Sequence, residues 1–323
     1  MKTKLDVRGL TVELPTEAGW IRPVNEVSLS IGEGETVGIV GESGSGKTML
    51  SLALMGLEPP GARRSGEAWL QVRAGARKNL VTASREEIRG LRGREIAMIF
   101  QEPMTALNPV MRIGAQVEEA IRVHDARASA AEIRARAIDA LTRAAVPEPE
   151  RRARQYPHQL SGGLRQRVMI AIALAADPGI LIADEPTTAL DVTVQKQILE
   201  LLAQLGRKLQ LSMLFITHDL GVVSQIADRV IVMYAGRVVE EGPAADVLQN
   251  PRHPYTEGLL RAAPRLERGN LTPIPGTVPA LGALPPGCAF GPRCGVHISE
   301  CDAAVPELRP VTEEHRARCI LVE

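Results

Sequence analysis

The chain has 323 residues, of which 45% are hydrophobic, so it can form one large domain with an extension and bury a substantial core. Its 38 Lys and Arg residues balance its 38 Asp and Glu residues, which argues against a general nucleic-acid-binding surface because such surfaces are usually basic. The start of the chain lacks a signal-peptide pattern, and no apolar run is long enough to span a membrane. We therefore expect a soluble protein of the cytoplasm whose membrane role, if any, depends on partners.

The first third of the chain shows a strand pattern. Residues 5–8 and 27–31 alternate between apolar and polar side chains, which predicts antiparallel strands within residues 1–40. Residues 66–72 and 95–100 also read as strands because they are short and largely apolar.

The rest of the chain divides into three stretches. From about residue 110 to residue 176 the pattern is helical, and residues 129–132 form a capping box. Between residues 179 and 233 strands alternate with helices, which implies a parallel α/β sheet. Prolines and glycines become frequent beyond about residue 245, so residues 270–323 are expected to form an appendage with little regular structure.

Residues 41–48, with the sequence GESGSGKT, match the phosphate-binding P-loop pattern at every specified position. A buried strand is predicted before them and a helix after them, which is the context that this motif requires. The glycines allow backbone N–H groups to turn inward as an anion nest at the positive end of the helix. Lys47 adds a charge for the β- and γ-phosphates of a triphosphate, and Thr48 offers a hydroxyl to Mg²⁺. The expected phosphate-binding residues are Gly41, Ser43, Gly44, Gly46, Lys47 and Thr48.

Residues 180–185 form an apolar strand that ends in two acids, the Walker B arrangement. Asp184 is expected to hold Mg²⁺ through water, and Glu185 to orient or deprotonate the attacking water. Acids often lie at strand ends, but a P-loop upstream makes this reading specific.

Residues 160–167, with the sequence LSGGLRQR, begin a helix that Ser161 can cap and whose glycines allow a phosphate to approach. This segment resembles the signature motif of the ATP-binding-cassette (ABC) ATPases, with Leu164 in place of the usual final Gln. Ser161 and Gly163, which the family uses on phosphate, are present, so the resemblance implies a functional motif.

Other elements of the ABC family follow in the family's order. Gln101 resembles the Q-loop glutamine that contacts Mg²⁺ or water, residues 189–191 resemble the D-loop, and His218 resembles the switch histidine that meets the γ-phosphate. The residue that stacks on adenine falls near Leu14 by alignment, and Trp20 in a slightly longer loop is the alternative that we adopt.

The resemblance also implies an assembly. In this family the P-loop, Asp184, Glu185 and His218 of one subunit face Ser161 of another, so ATP brings two subunits together and hydrolysis separates them. The expected partners are a second ABC ATPase, either a paralogue or a copy of this chain, and two integral-membrane permeases. An extracytoplasmic solute-binding protein would act indirectly, and no nucleic acid is expected.

The C-terminal part of the chain indicates which branch of the ABC family it resembles. Residues 253–256, 275–279 and 284–294 resemble the corresponding parts of ATP-binding subunits of oligopeptide and dipeptide importers. All four cysteines lie in this part: Cys288, Cys294, Cys301 and Cys319. Their clustering in a reducing compartment suggests metal ligation, but their irregular spacing cannot name the metal. The resemblance favours a four-iron four-sulfur cluster. Zinc, with His297 or His315 replacing a thiol, and four free buried cysteines are the alternatives.

The predicted fold is an α/β P-loop ABC ATPase with a mixed sheet, an antiparallel β-subdomain and a helical signature subdomain at about residues 105–176. The predicted division is a nucleotide-binding domain at residues 1–245 and a cysteine-containing extension at residues 246–323. We expect a Cys294→Ser change to loosen this extension but to leave ATP binding intact.

The expected function is that of the ATP-hydrolysing subunit of an importer for di- or oligopeptides, or for a related solute such as a nickel chelate or glutathione. It would lie peripherally at the cytoplasmic face of the inner or plasma membrane. The competing hypotheses are a soluble ABC ATPase acting on ribosomes or DNA and a redox sensor built on the cysteines.

Overall fold

A computed structural model describes residues 2–101, 106–188, 190–262 and 273–322 of the protein. These residues form two β-sheets with helices packed against them, which confirms the predicted α/β class. The strands are β1 Thr3–Thr16, β2 Gly19–Gly32, β3 Thr36–Val40, β4 Arg63–Gln71, β5 Arg77–Asn79, β6 Ile96–Ile99, β7 Ile180–Asp184, β8 Ser212–Thr217, β9 Arg229–Tyr234, β10 Arg237–Pro243, β11 Arg309–Pro310 and β12 Arg316–Ala317.

The helices lie mainly between residues 47 and 262. The α-helices are α1 Lys47–Met55, α2 Arg85–Leu91, α3 Ile113–Arg122, α4 Ala130–Arg143, α5 Pro149–Ala153, α6 Gly162–Leu174, α7 Val192–Leu209, α8 Leu220–Ile226, α9 Ala244–Gln249 and α10 Pro254–Ala262. Among the residues that the structure describes, the short 3₁₀ helices are Pro157–Gln159, Gly291–Arg293 and Ser299–Asp302. The capping box predicted at the start of α4 is present, since Ser129 Oγ accepts the Glu132 N–H and the Glu132 carboxylate accepts the Ser129 N–H.

The smaller sheet is antiparallel and has the strand order β2-β1-β4-β5. The strands expected within residues 1–40 are therefore confirmed. The apolar side chains of β1, β2 and β4 pack with those of β3, β7, β8 and α1 in one buried cluster. This cluster joins the smaller sheet to the larger one.

The larger sheet has the strand order β11-β12-β10-β9-β3-β8-β7-β6. The five strands from β9 to β6 run parallel, whereas β10, β12 and β11 pair antiparallel at one edge. Because β3, β8, β7 and β6 are parallel neighbours, the segments that follow them emerge at the same edge of the sheet. Those segments carry the P-loop, His218, Glu185 and Gln101 respectively.

A second buried cluster lies on the opposite face of the larger sheet. It combines side chains of α3, α4, α6 and α7 with β6, β7 and β8, and it includes Ile113, Val117, Leu141 and Val168, all at 0% exposure. At about 25 cal/mol per Å² of buried apolar surface, such side chains each contribute roughly 2 kcal/mol to folding. The helical region that carries the signature segment is thus packed onto the sheet that carries the P-loop.

The C-terminal extension is attached to the larger sheet through β12, whose Ala317 pairs with Glu240 of β10. Glu240 is completely buried, and its carboxylate accepts hydrogen bonds from His315 Nε2 at 2.7 Å and from the backbone N–H groups of Arg252 and His253. The low content of regular structure expected for this part of the chain is confirmed for residues 273–322. This part of the chain pairs with the larger sheet through β12 and packs against it in a third buried cluster that includes Tyr234, Tyr255 and Phe290.

Candidate nucleotide site

The P-loop connects β3 to α1 and has a backbone that only glycine can adopt at two points. Gly46 has φ 102°, and a Cβ atom there would collide with the carbonyl oxygen of Pro23. A Cβ atom on Gly41 would collide with the carbonyl oxygen of Met233. The loop is therefore held close to β2 and β9, and its glycines allow the tight curve that a phosphate cradle requires.

Lys47 is the first residue of α1, and its side chain is buried within the curve of the loop. Its Nζ donates to the carbonyl oxygens of Gly41 at 2.7 Å and Glu42 at 3.0 Å, and to Ser45 Oγ at 3.3 Å. Burial lowers the pKa of Lys47, although nearby acids act in the opposite direction, with Glu185 first among them. The ammonium group is thus placed where the phosphates of a nucleotide would need a counter-charge.

Asp184 ends β7 and lies beside the start of α1. Its Oδ1 accepts a hydrogen bond from Thr48 Oγ1 at 3.4 Å. Burial raises the pKa of Asp184 to about 6, with the Glu185 charge adding to the effect and the Thr48 hydrogen bond and the Lys47 charge opposing it. A carboxylate and a hydroxyl side by side are the oxygen ligands that Mg²⁺ prefers, so the pair fits the expected metal.

Glu185 is the point at which the other expected catalytic residues meet. Gln101 Nε2 donates to Glu185 Oε2 at 3.2 Å, and His218 Nδ1 lies 3.3 Å from Glu185 Oε1. Thr188 Oγ1 also donates to Glu185 Oε2, at 2.8 Å. Glu185 itself has φ 46°, an unfavourable backbone conformation for a residue with a Cβ atom. The structure therefore brings Gln101, Glu185 and His218 together, and it adds Thr188, which the sequence analysis did not identify.

Ser161 and Gly163 lie at the N-terminus of α6. Ser161 is exposed, and its Oγ accepts a hydrogen bond from the Leu164 N–H at 3.4 Å. A Cβ atom on Gly163 would lie 2.6 Å from Cγ1 of Val194, so the glycine permits close packing of α6 against α7. Ser161 is thus accessible to another chain, whereas Gly163 is only partly exposed, and their role in trans stays a prediction. Within the D-loop, Ala189 lies outside the described residues.

Trp20 lies at the start of β2, near the turn that joins it to β1. The Arg63 guanidinium lies over its ring at 3.9 Å from the ring centroid, and the side chain is 44% exposed. Such a cation–π contact at an exposed site contributes about 0.5–1 kcal/mol. The ring is therefore supported on one side by Arg63, and its role toward adenine stays a prediction.

The four cysteines are close enough to influence each other. Burial raises the pKa of Cys288, Cys294 and Cys319, and the charge of Cys301 adds to the effect on each of them. However, no group of three or more His, Cys, Asp or Glu side chains among the described residues is placed to hold a metal ion. The arrangement therefore does not fit a single zinc ion.

The two histidines proposed as alternative zinc ligands also have other partners. His297 Nε2 lies 3.0 Å from Asp302 Oδ1, and His315 Nε2 lies 2.7 Å from Glu240 Oε1. These contacts explain both histidines without a metal.

Comparison with known proteins defines the class to which this fold and site belong. The ABC transporter family matches residues 24–188, and the chain belongs to this family. The chain is similar to the ATP-binding cassette MJ0796, solved as a dimer in a post-hydrolysis state with ADP and Pi. The two share 32% sequence identity with a TM-score of 0.65, over 74% of this chain and 98% of the other. The chain is an ABC ATPase.

The C-terminal part specifies the branch of the family. Residues 239–301 match the oligopeptide/dipeptide transporter C-terminal region. The chain is 46% identical to the dipeptide transport ATP-binding protein DppD of Bacillus subtilis, over 99% of this chain and 95% of DppD. It is also 51% identical, over 98% of its length and 96% of the relative, to a Brucella abortus protein provisionally named as a peptide import ATP-binding protein. The resemblance stated from the sequence is thereby confirmed.

Proposed function

We propose that this chain is the ATP-hydrolysing subunit of an ABC importer for di- or oligopeptides, or for a related solute such as a nickel chelate or glutathione. The observation that carries the proposal is the convergence of Gln101, Thr188 and His218 on Glu185, beside the P-loop and the Asp184–Thr48 pair. The C-terminal match and the similarity to a dipeptide transport protein support the substrate class.

The reaction that we propose is transfer of the γ-phosphoryl group of ATP to water. The P-loop N–H groups and Lys47 would bind the phosphates, and Thr48, Asp184 and Gln101 would hold Mg²⁺. When bound, Mg²⁺ neutralises charge on the phosphate oxygens. Glu185 would orient the attacking water and accept its proton, while His218 would contact the γ-phosphate. Most of the rate enhancement would come from positioning and electrostatics, because this reaction needs little covalent chemistry from the protein.

The site that we propose is completed by a second subunit. Ser161 and Gly163 of one chain would contact the γ-phosphate held by another, with ATP between them. Because ATP binds more tightly to the closed pair than to separate chains, its binding closes the pair and its hydrolysis opens it. The dimeric MJ0796 cassette supports this arrangement.

The transport role requires membrane partners. No helix in the described parts of the chain is long and apolar enough to cross a membrane. We propose that two integral-membrane permeases bind this subunit at the cytoplasmic face of the membrane, with a solute-binding protein acting from the other side.

We also propose the following division of the chain. Residues 1–245 form the nucleotide-binding domain, with its helical subdomain at about 105–176, and residues 246–323 form the extension.

We further propose that Cys288, Cys294, Cys301 and Cys319 hold a four-iron four-sulfur cluster. In such a cluster each thiolate binds a different iron, so the sulfurs need not converge on one point as they must for a single ion. The effect of the Cys301 charge on the pKa values of Cys288, Cys294 and Cys319 supports a shared site. Iron and sulfide assays on anaerobically purified protein should find about four of each per chain. Zinc, or no metal in freshly prepared protein, would contradict this assignment.

The ATPase proposal is tested by trapping the closed pair. The Glu185→Gln variant should bind ATP and elute from a sizing column as a dimer, because it retains the phosphate contacts but lacks the base. Lys47→Ala is the control, and it should remain monomeric with ATP because it loses the phosphate counter-charge. A Glu185→Gln protein that binds ATP tightly and stays monomeric would contradict a composite site formed by two copies of this chain.

A further inference from the structure

Arg293, in the C-terminal extension, contacts the P-loop. Its guanidinium forms two parallel bonds with the Glu42 carboxylate, from Nη1 to Oε2 at 2.7 Å and from Nη2 to Oε1 at 3.0 Å. The Arg293 side chain is only 4% exposed, whereas that of Glu42 is 30% exposed. Two-point arginine–carboxylate pairs fix direction as well as distance, and they are stronger than neutral hydrogen bonds.

The extension also holds the backbone of the same P-loop residue. The Glu42 N–H donates to the hydroxyl of Tyr255 at 2.8 Å. Tyr255 is completely buried, and its ring packs against Tyr234 and Phe290 with centroids 4.6 Å and 5.4 Å away. Both the side chain and the backbone of Glu42 are therefore bound by residues that follow position 245.

Arg293 is itself held rigidly. Its Nε donates to the carbonyl oxygen of Pro275 at 2.9 Å, and its Nη1 lies 3.4 Å from the hydroxyl of Tyr234. The hydrogen bond to Glu42 raises the pKa of Arg293, so the guanidinium stays charged. Arg293 is thus held by three groups at once: Pro275, Tyr234 and Glu42.

Glu42 links this contact to the nucleotide-binding lysine. The carbonyl oxygens of Gly41 and Glu42 accept hydrogen bonds from Lys47 Nζ, so a shift of Glu42 would move two of the lysine's partners. The next residues along the loop, Ser43 to Gly46, belong to the phosphate cradle that we propose. The position of Glu42 therefore influences both the Lys47 ammonium group and the loop proposed to hold the phosphates.

We propose that Arg293 and Tyr255 are positioning residues of the nucleotide site, through which the C-terminal extension holds the P-loop in its binding conformation. This inference rests on the proposed function, because it takes the P-loop to bind ATP. Two sites that share a structural element in this way are coupled, so order in the extension raises nucleotide affinity and nucleotide binding orders the extension. This coupling predicts the opposite of the expectation drawn from the sequence, that a looser extension leaves ATP binding intact.

The test uses the full chain and compares Arg293→Gln with Arg316→Gln. Arg316 is a matched control, because it also joins the extension to a glutamate of the larger sheet, with its Nη1 2.9 Å from Glu241 Oε1. Equilibrium titration with a fluorescent ATP analogue gives the affinity, steady-state hydrolysis gives KM and kcat, and thermal unfolding gives stability. We expect Arg293→Gln to weaken nucleotide binding about fivefold or more and to raise KM more than it lowers kcat. Arg316→Gln should bind within about twofold of wild type.

A double-mutant cycle separates positioning from general loosening. If Arg293 acts through Glu42, the Arg293→Gln/Glu42→Gln double variant should bind nucleotide about as well as the weaker single variant, and not with the product of the two losses. Arg293→Lys retains the charge but loses the two-point geometry, so its affinity should lie between those of wild type and Arg293→Gln.

The outcomes that overturn the inference are specific. If wild type binds ATP and a folded Arg293→Gln protein binds it equally well, the contact only attaches the extension, whatever the change in stability. Should Arg293→Gln fail to fold, unchanged affinity in both Arg293→Lys and Glu42→Gln would overturn the inference instead. A folded wild-type protein that binds no ATP would refute the proposed function itself. This result is distinguishable from a failure of the inference, in which wild type binds ATP and the variants bind it equally well.

Discussion

The nucleotide site and the C-terminal extension differ in how their residues are brought together. In the P-loop, Lys47 binds groups no more than six residues away. Asp184, Glu185 and their partners are farther apart in the sequence, but they all lie at or just after the ends of neighbouring parallel strands. In the extension, His315 pairs with Glu240 across 75 residues and Arg293 pairs with Glu42 across 251. The first region is a local motif on a regular sheet, whereas the second is irregular backbone held by individual long-range pairs.

The largest expected effect lies in the nucleotide site. Glu185→Gln should lower ATP turnover on the order of a thousandfold with little loss of ATP affinity, because a general base contributes about 10²–10⁴ to rate. Thr188→Ala should lower turnover less, since it removes only one of the hydrogen bonds to Glu185. Steady-state phosphate release measures both. Turnover by Glu185→Gln at the wild-type rate would exclude Glu185 from the catalytic role.

The second effect lies in the extension. His315→Ala should destabilise the protein by about 3 kcal/mol, because it leaves the fully buried Glu240 carboxylate without one of its partners. His297→Ala is the control, and it should change stability by less than about 1 kcal/mol because its pair with Asp302 is more exposed. Denaturant titration measures both. Equal losses for the two variants would show that the extension does not depend on the Glu240 pair.

Much of the first region could be predicted from the sequence, and little of the second. The P-loop at residues 41–48 and the acids at the end of β7 are recognisable because their chemistry requires fixed spacing within a few residues. The order of the parallel strands then places Gln101 and His218 beside them. The contact of Thr188 with Glu185 depends on the shape of the turn after β7, for which the sequence gives no comparable signal.

In the extension, by contrast, the sequence shows a cluster of cysteines and histidines but does not show which residues contact each other. Neither periodicity nor spacing indicates that Arg293 reaches Glu42 or that β12 pairs with β10. A histidine near cysteines suggests a metal ligand, and only the fold shows that His315 binds Glu240. Pairs separated by 75 residues, as His315 and Glu240 are, or by 251, as Arg293 and Glu42 are, leave no local pattern in the sequence.

The third effect depends on pH. The pKa of Asp184 is about 6 in the folded protein and near 3.8 when unperturbed, so the folded state holds the proton more tightly between these values. Stability should therefore fall as the pH rises through this range and level off above about 6. Asp184→Asn, which cannot ionise, should be more stable than wild type by on the order of 2 kcal/mol at pH 7.5, with a smaller difference at pH 5.

Thermal unfolding across this pH range, without nucleotide or Mg²⁺, measures the difference. The same variant should lose Mg²⁺-dependent turnover, because the amide cannot supply the negative charge. A stability difference that grows toward low pH would contradict the assigned shift of the Asp184 pKa.

The smallest effect concerns Trp20. Trp20→Ala should weaken ATP binding by about threefold, since its ring offers an exposed surface for adenine while Arg63 supports it. Stability should change by less than about 1 kcal/mol. Arg63→Ala provides a comparison in which the ring remains but its support is lost. ATP affinity identical to wild type in Trp20→Ala would exclude Trp20 from the nucleotide site.

The most direct test of the whole account is to isolate this chain from its native membranes in mild detergent and to identify the associated proteins by mass spectrometry. The account predicts two integral-membrane permeases together with a second ABC ATPase or a second copy of this chain. Recovery of ribosomal or DNA-repair proteins without any membrane protein would contradict the importer assignment, although the ATPase site would still stand.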